Sequence, residues 1–399
     1  MSGGSRCNVL PHESKWPSTL DDLENKYFSS SPKILGHILS KWSIPDQVQF
    51  FEEELKIPLS VEEETGKYFP SSNDARDVLD GFLKKIRYTT NLVTSADVKD
   101  VCKTSDGRFR ITYNKDEEIL TDRVIMASGG ISVINDDGTG YLLLQKLGHN
   151  LQPLYAALTP LTSTEESKAA HKSISGVSVE RAVVSAFVGG ECVYTSYPSA
   201  LLFTHRGYSG PAILNTSHNV IVDKQFVLNQ TSTSHIKNLL NKDLSGSIHL
   251  EIWWTPNISR DQWHDKFKYS VSSQTVQKFV QNNSYPNNIP ARLASLILGS
   301  LADVPCNKLT AEQIESVLDL LCKFKINIGG NEGFKKAEVT GGGVDLTQIN
   351  PDTLESTQCK GLYIVGEALD AFGCIGGFNF ALAWITGRIA AEAALSSLK

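Results

Sequence analysis

The 399-residue sequence contains no apolar run approaching the eighteen or so residues that a membrane-spanning helix needs. It carries no excess of positive charge either. Lys plus Arg number 38 against 44 Asp plus Glu, and the net charge of −6 argues against nucleic-acid binding driven by charge alone. No Cys-x-x-Cys spacing occurs, so neither a zinc ribbon nor a dithiol redox centre is supported. The seven cysteines (Cys7, Cys102, Cys192, Cys306, Cys322, Cys359, Cys374) are odd in number and scattered, which favours reduced thiols over a disulfide framework. The nine histidines form no His-Glu-x-x-His and no close pair, so no metal site is expected. A nucleotide-dependent transferase is disfavoured because no Gly-x-x-x-x-Gly-Lys-[Ser/Thr] is present. The opening Met1-Ser-Gly-Gly-Ser-Arg resembles neither a signal peptide nor an Arg-rich presequence. These absences lead us to expect a soluble protein, intracellular and cytoplasmic by default or organellar if the true N-terminus is missing, without nucleic-acid or membrane partners; a small-molecule substrate is the expected partner. Its oligomeric state is not legible.

What is present is an ordinary globular balance, 41% hydrophobic and 21% charged, over a length that fits two or three folded units. Three textures follow one another. Up to about Asn150, helical and strand patterns mix. Asp77–Ile86 has apolar residues at 78, 79, 82, 83 and 86, one face of a helix; Arg108–Tyr113 alternates as a half-buried strand does; Arg123–Gly130 is a short apolar strand running into a glycine turn. From 151 to about 325 the chain is richer in strand-like segments, such as Ser178–Val188 and Ser247–Trp254, and then becomes helical. Thr310-Ala-Glu-Gln reads as a capping box ahead of an apolar stripe at Ile314, Val317, Leu318 and Leu321, and Pro290 suits the first turn of the helix before it. Beyond Lys336 glycine turns and short strands return, and a helix is predicted from about Phe378 to Leu398. The shared style of the first and third regions points to one α/β domain interrupted by an inserted one.

The strongest chemical signal lies in Gly361–Ala381. A strand ends at Gly366, acids follow at Glu367 and Asp370, and Gly376-Gly377 opens the last helix. Paired glycines let a flat ligand approach the backbone, and the helix start favours an anion there. Reduced flavin is negative along one edge, so such a start suits flavin chemistry, with Glu367 and Asp370 placed to accept from ribityl or ribose hydroxyls. Equally open is a strand–turn–helix unit whose glycines serve packing alone. Ser2-Gly-Gly-Ser-Arg-Cys-Asn is a turn with one cation that suits a phosphate or is simply a frayed end; Ala127-Ser-Gly-Gly and Thr340-Gly-Gly-Gly-Val are two further loops that expose backbone. Leu202–Leu214 gathers Thr204, His205, Arg206 and Ser209. There His205 could protonate a substrate and Arg206 hold a carboxylate, or the stretch is a helix start capped by Ser209 with Pro211 in its first turn. Cys7 and Cys374 sit in candidate loops, although lone cysteines commonly serve packing.

Six blocks in this order resemble the BaiN-like family of FAD-dependent oxidoreductases, also labelled aminoacetone-oxidase-family or NAD(P)/FAD-dependent flavoproteins. They are Ser2–Asn8, with Ser5 where the family has a third glycine; Gly66–Pro70; Ala127-Ser128-Gly129-Gly130; Leu202–Pro211; Val339–Val344; and Gly366–Asn379, with Phe378 where the family has tyrosine. The resemblance implies a split FAD/NAD(P)-binding Rossmann-like α/β domain, with an inserted β-rich domain and a small helical domain. The expected divisions are 1–150 and 346–399 for the FAD-binding parts, 151–275 for the β-rich domain, 276–325 for the helical one, and 326–345 for its return strands. It further implies FAD as cofactor, with NAD(P)H as a candidate reductant. Backbone at Val98 would face the adenine, Glu367 and Asp370 would lie near the ribityl-pyrophosphate, and Gly376, Gly377, Phe378 and Asn379 near the ring system. Ser2, Gly3, Gly4, Arg6, Cys7, Asn8, Ala127, Ser128, Gly129, Gly130, Thr340, Gly342 and Gly366 complete the expected cofactor cradle, while His205 and Arg206 are the candidates for substrate handling.

The family pattern places a strand, Gly-x-Gly-x-x-Gly and a helix ahead of the first block, whereas this sequence opens on that block and contains no Gly-x-Gly-x-x-Gly. The missing first βαβ unit would contribute roughly 10 kcal/mol of apolar burial, which is comparable with the whole stability of a domain. Three expectations stand side by side. A longer natural chain supplies the fingerprint; or a short form binds FAD weakly; or the remaining cradle acts as a non-enzymatic binding or scaffold module.

Overall fold

The computed structural model describes residues 6–132, 137–167, 172–220, 248–270 and 273–398. Ser2, Gly3 and Gly4, expected in the cofactor cradle, lie outside the described residues. The chain separates into two compact units. The described part of the first comprises residues 6–155 and 339–398, and that of the second falls within 156–338.

In the first unit, residues apolar on both faces make the central strands. Val124–Met126 pairs in parallel with Leu362–Ile364, setting Leu362 opposite Val124 and Ile364 opposite Met126. All three residues of the second strand are buried, as a strand covered on both sides requires. The first unit also holds two antiparallel three-stranded sheets. One is Leu10–Pro11, Lys67–Pro70 and Leu59–Glu62, and the other Val98–Lys103, Phe109–Tyr113 and Glu117–Thr121. The C-terminal helix, Phe378–Ser396, is apolar nearly all round because it serves two cores. Phe378, Leu382, Ile385 and Ile389 join the cluster holding Val124, Leu362 and Ile364, whereas Ala381 packs among Val9, Leu10, Phe51 and Ile57.

The second unit is built on a closed antiparallel ring. Ser178–Val188 is long enough to take three partners. Its first half pairs with Ser199–Phe203, its second half with His249–Trp253, and its end also with Glu191–Thr195. From Ser199–Phe203 the ring runs through Gly207–Ser209, Leu161–Ser163 and Phe324–Asn331 and returns to His249–Trp253. Closure leaves these ring strands without an open edge. Ala182, Val184 and Ala186 are buried in alternation along the long strand, and Val179 is buried beyond an irregularity in the pairing.

The divisions differ from those expected. The helices of 276–325 share one core with the ring, Val276, Leu293 and Val317 packing in the same cluster as Leu201 and Leu250, so they form no separate domain. Val339–Val344 belongs to the first unit rather than to an insert, since it pairs with Leu151–Ala157.

Local signals read from the sequence meet the structure at several points. Thr310 and Gln313 form the capping box of Ala311–Cys322, with Val317, Leu318 and Leu321 buried. Pro290 stands one place before Ala291–Leu298 rather than within its first turn. The 75–86 helix buries Val78, yet leaves Leu79 and Leu83 exposed. Among the described residues no helix is long and apolar enough to cross a membrane, and no three His, Cys, Asp or Glu gather as a metal ion would require.

Candidate functional site

Two groups of the predicted residues form in the first unit, joined by the chain from Glu367 to Gly376. The first surrounds the turn after the Val124–Met126 strand. Ala127 and Ser128 are exposed there, and Gly129 (φ 73°) has nothing within 4 Å of where a side chain would begin. Gly130 behaves differently. A Cβ would stand 2.1 Å from Glu367 Oε1 and 2.4 Å from Thr340 Oγ1, so its missing side chain is what lets three segments meet. Thr340, fully buried, accepts at Oγ1 from the backbone N–H of Ile131 (2.9 Å) and Ser132 (3.2 Å). Its own N–H donates to Glu367 Oε1 (2.8 Å), and the Tyr141 hydroxyl donates to the Glu367 carbonyl (3.1 Å).

The expected role of the tri-glycine loop changes in detail. Gly341 gives way to the Tyr155 ring, 2.3 Å from a would-be Cβ, and Gly342 to the Pro153 carbonyl at 2.1 Å. The space in front of both is filled by the protein's own atoms, so these two glycines serve packing rather than expose backbone. Gly366 (φ 63°) donates its N–H to Thr386 Oγ1 (2.9 Å) on the C-terminal helix.

Asp370 is buried and accepts at Oδ2 from the N–H (3.0 Å) and hydroxyl (2.5 Å) of Ser30. Burial pushes its carboxyl above the usual range, outweighing the lowering by those hydrogen bonds. Both acids thus already have partners within the protein: Glu367 closes the first group, and Asp370 ties the Ser30 turn to the Leu369–Gly373 segment.

The second group lies at the start of the C-terminal helix. Gly377 (φ 91°) is the residue before it and, being glycine, offers the first-turn N–H groups no capping side chain. A Cβ on Gly377 would meet Leu10 C at 2.5 Å, so only glycine fits against this strand; at Gly376 (φ 129°) Lys67 Cε and Phe378 Cε2, each 3.7 Å away, would make ordinary van der Waals contact. Asn8 seals the seam. In the amide orientation that satisfies both ends, it donates to the carbonyls of Tyr68 (3.2 Å) and Leu10 (3.0 Å) and accepts from Gly377 N–H (3.1 Å).

The side chains of Phe378 and Asn379 turn inward. Phe378 is buried, stacked on Trp16 at 6.3 Å and met edge-on by Tyr27, whose hydroxyl donates to its carbonyl (2.8 Å). Asn379 accepts from Gly373 N–H (2.7 Å) and donates to Gly373 O (2.9 Å), closing the 373–379 loop. What this pair offers a ligand is therefore backbone, not side chain.

Arg6 donates to Asn73 Oδ1 (2.8 Å) and Glu62 Oε1 (3.0 Å) and lies over the Phe69 ring, so this cation already has an acid partner. Cys7 is buried, which raises its thiol pKa as a packing residue's would be. Val98 opens its strand and packs half-buried against the core.

His205 and Arg206 belong to the second unit, exposed in the turn between Ser199–Phe203 and Gly207–Ser209. The turn is held by Thr204 Oγ1, which accepts from the N–H of Arg206 (3.2 Å) and Gly207 (3.0 Å). Ser209 does not cap the following helix. Gly210 precedes Pro211–Ser217 and no side chain caps it, because Ser209 is the last residue of its strand. Sequence reasoning passed over Tyr141, Ser30 and Thr386, whose partners lie 226, 340 and 20 residues away. Lys67 stood inside a recognised block without being singled out.

The HI0933-like protein Rossmann domain family matches residues 1–393. The chain is 27% identical over 399 residues to a ribosomal RNA dihydrouridine synthase of Escherichia coli (strain K12), covering 98% of this chain and 87% of that protein. It is 27% identical to a protein of the same name from Haemophilus influenzae, covering 96% and 86% of the two chains. It is 26% identical to a 3-dehydro-bile acid delta(4,6)-reductase of Clostridium scindens, covering 98% and 88%. The kinship expected from the six blocks is borne out.

Proposed function

Since the chain belongs to the HI0933-like protein Rossmann domain family, we propose that it is a flavin-dependent oxidoreductase that saturates a carbon–carbon double bond conjugated to a carbonyl. The observation that carries the reading is a pair of left-handed glycines that a Cβ would not crowd: nothing lies within 4 Å of one on Gly129 and only ordinary contacts from 3.7 Å outward meet one on Gly376, whereas Gly130, Gly342 and Gly377 are packed by the protein's own atoms. A planar ring system fits such a cradle, and the uncapped start of the C-terminal helix favours the negative edge of its reduced form. The backbone of Ala127–Gly130 and of Gly376–Asn379 would hold the cofactor, with Gly366, Glu367 and Asp370 shaping the segment between. Ser2, Gly3, Gly4, Arg6, Cys7, Asn8, Val98, Thr340 and Gly342 remain proposed members of the FAD cradle. Of these, Thr340 and Gly342 act by packing, and Asn8 by anchoring Gly377. A bound flavin supplies the hydride exchange.

The substrate class comes from chemistry shared by two names. A dihydrouridine synthase and a delta(4,6)-reductase of a 3-dehydro-bile acid both denote saturation of a double bond conjugated to a carbonyl. NAD(P)H is proposed as the electron source, with one hydride and one proton ending on the double bond. We assign His205 and Arg206, exposed in their turn, to substrate handling: the imidazole to move a proton, the guanidinium to hold an anionic group. The net charge of −6 favours a small enone over an RNA.

The test is to purify the chain, add FAD, desalt, and record the visible spectrum. A flavin band should persist, bleach on anaerobic NAD(P)H, and return on adding a conjugated 3-oxo steroid. A colourless protein would defeat the enzymatic reading and leave a binding module. Return of the band with a uridine-containing ribosomal RNA fragment alone would move the substrate class to RNA.

A further inference from the structure

The Gly66–Pro70 block carries a lysine in unusual surroundings. Antiparallel pairing sets Lys67 opposite Pro11 and Tyr68 opposite Leu10, and it is on Leu10 and Pro11 that Gly377 packs. The register therefore delivers Lys67 to the start of the C-terminal helix, its Cε 3.7 Å from where a Cβ on Gly376 would stand. Burial lowers the affinity of its amine for a proton. The acid that bears on it, Glu62, is already engaged by Arg6 Nη1 (3.0 Å) and by the Thr65 hydroxyl. Among the described residues the Lys67 ammonium has neither a hydrogen bond nor an ion pair, and Lys15 and Arg6 add positive potential around it. On the other side of the loop, Lys26 accepts at its carbonyl from Cys374 N–H (2.8 Å) and holds its ammonium 6.0 Å from the Phe378 ring centre. A partly desolvated cation facing an open glycine turn is unfavourable until an anion arrives.

We propose that Lys67 is the charge partner of the cofactor, offsetting the negative edge of the reduced ring system at the Ile375–Gly377 turn. The assignment rests on the flavin reading. It gives the Gly66–Pro70 block a chemical purpose besides its strand, and it accounts for a half-buried lysine without an acid of its own.

The experiment measures the two-electron midpoint potential of the FAD-loaded wild type, Lys67→Met and Lys67→Arg, by equilibration with a reference dye. Circular dichroism and FAD content are recorded on each. Lys67→Met should lose about tenfold of its preference for reduced over oxidised flavin, a fall of about 30 mV for a two-electron couple; Lys67→Arg should stay near wild type. Should Lys67→Met not fold, Lys67→Gln takes its place with the same expectation. A potential unchanged in the neutral variant, with FAD bound, overturns the role of Lys67 and leaves the flavin reading intact. A wild type that takes up no FAD overturns the flavin reading and the lysine assignment with it.

Discussion

His149 shows how much a single residue can contribute without touching a ligand. It is buried, with Nε2 2.9 Å from Ser356 Oγ. That oxygen already accepts from the N–H groups of Gln358 (3.0 Å) and Cys359 (2.8 Å), so its own hydrogen is directed at Nε2 and the imidazole proton sits on Nδ1, which has no hydrogen-bond partner among the described residues. Burial lowers the imidazole pKa from 6.5 to about 4. The fold thus favours the neutral ring, while the unfolded chain takes up a proton below pH 6.5. The contribution of this residue is fully present above that pH, declines as pH falls, and is gone below about 4. The loss is of order 3 kcal/mol. Urea unfolding at pH 7 and pH 4.5 should show it, and the pH dependence should shrink in His149→Gln; an equal slope in both proteins would refute it. At His205, the histidine proposed for substrate handling, the expectation concerns rate. His205→Ala should lower turnover about a hundredfold without changing FAD content, and unaltered turnover would remove His205 from substrate handling.

Among the elements, the C-terminal helix separates glycine as necessity from glycine as liability. Gly377→Ala adds a methyl 2.5 Å from Leu10 C in a left-handed conformation, combining strain with overpacking. It should cost roughly 2–5 kcal/mol. Gly387, inside the same helix, has nothing within 4 Å of its would-be Cβ and needs no positive φ. Gly387→Ala should therefore stabilise by about 0.5–1 kcal/mol, and thermal unfolding of the two variants should move in opposite directions. This helix was legible because its apolar run and glycine start are local. So were the alternation of Ser178–Val188 and the capping box at Thr310. Val339–Val344 was hard to place as a strand of the first unit, because three of its six residues are glycine. Their meaning lies in what they allow to approach, Pro153 and Tyr155, nearly two hundred residues earlier in the chain. Asn379 could be singled out from its block but not as the residue that locks Gly373, since spacing does not tell which way a side chain turns.

At the scale of the molecule, the family and the mixed α/β character could be read from six blocks in order, whereas the closed ring could not. Closure depends on one strand taking partners on both sides, Leu201 opposite Val179 and Trp253 opposite Val183, which alternation alone does not encode. The helices of 276–325 looked separable because their pattern changes period, yet their stripes face the same core as the ring. Each unit carries its own core, and every proposed FAD contact lies in the first. A ligand that binds only the native first unit stabilises it by mass action, about 2.7 kcal/mol at one hundred times its Kd. Amide exchange can assign that gain to a place. With FAD at such a concentration, protection should rise at Leu362, Tyr363 and Ile364, while Val184, Ser185 and Ala186 in the ring should exchange as before. Protection rising in the ring alone would mean that the cofactor reading had been assigned to the wrong unit.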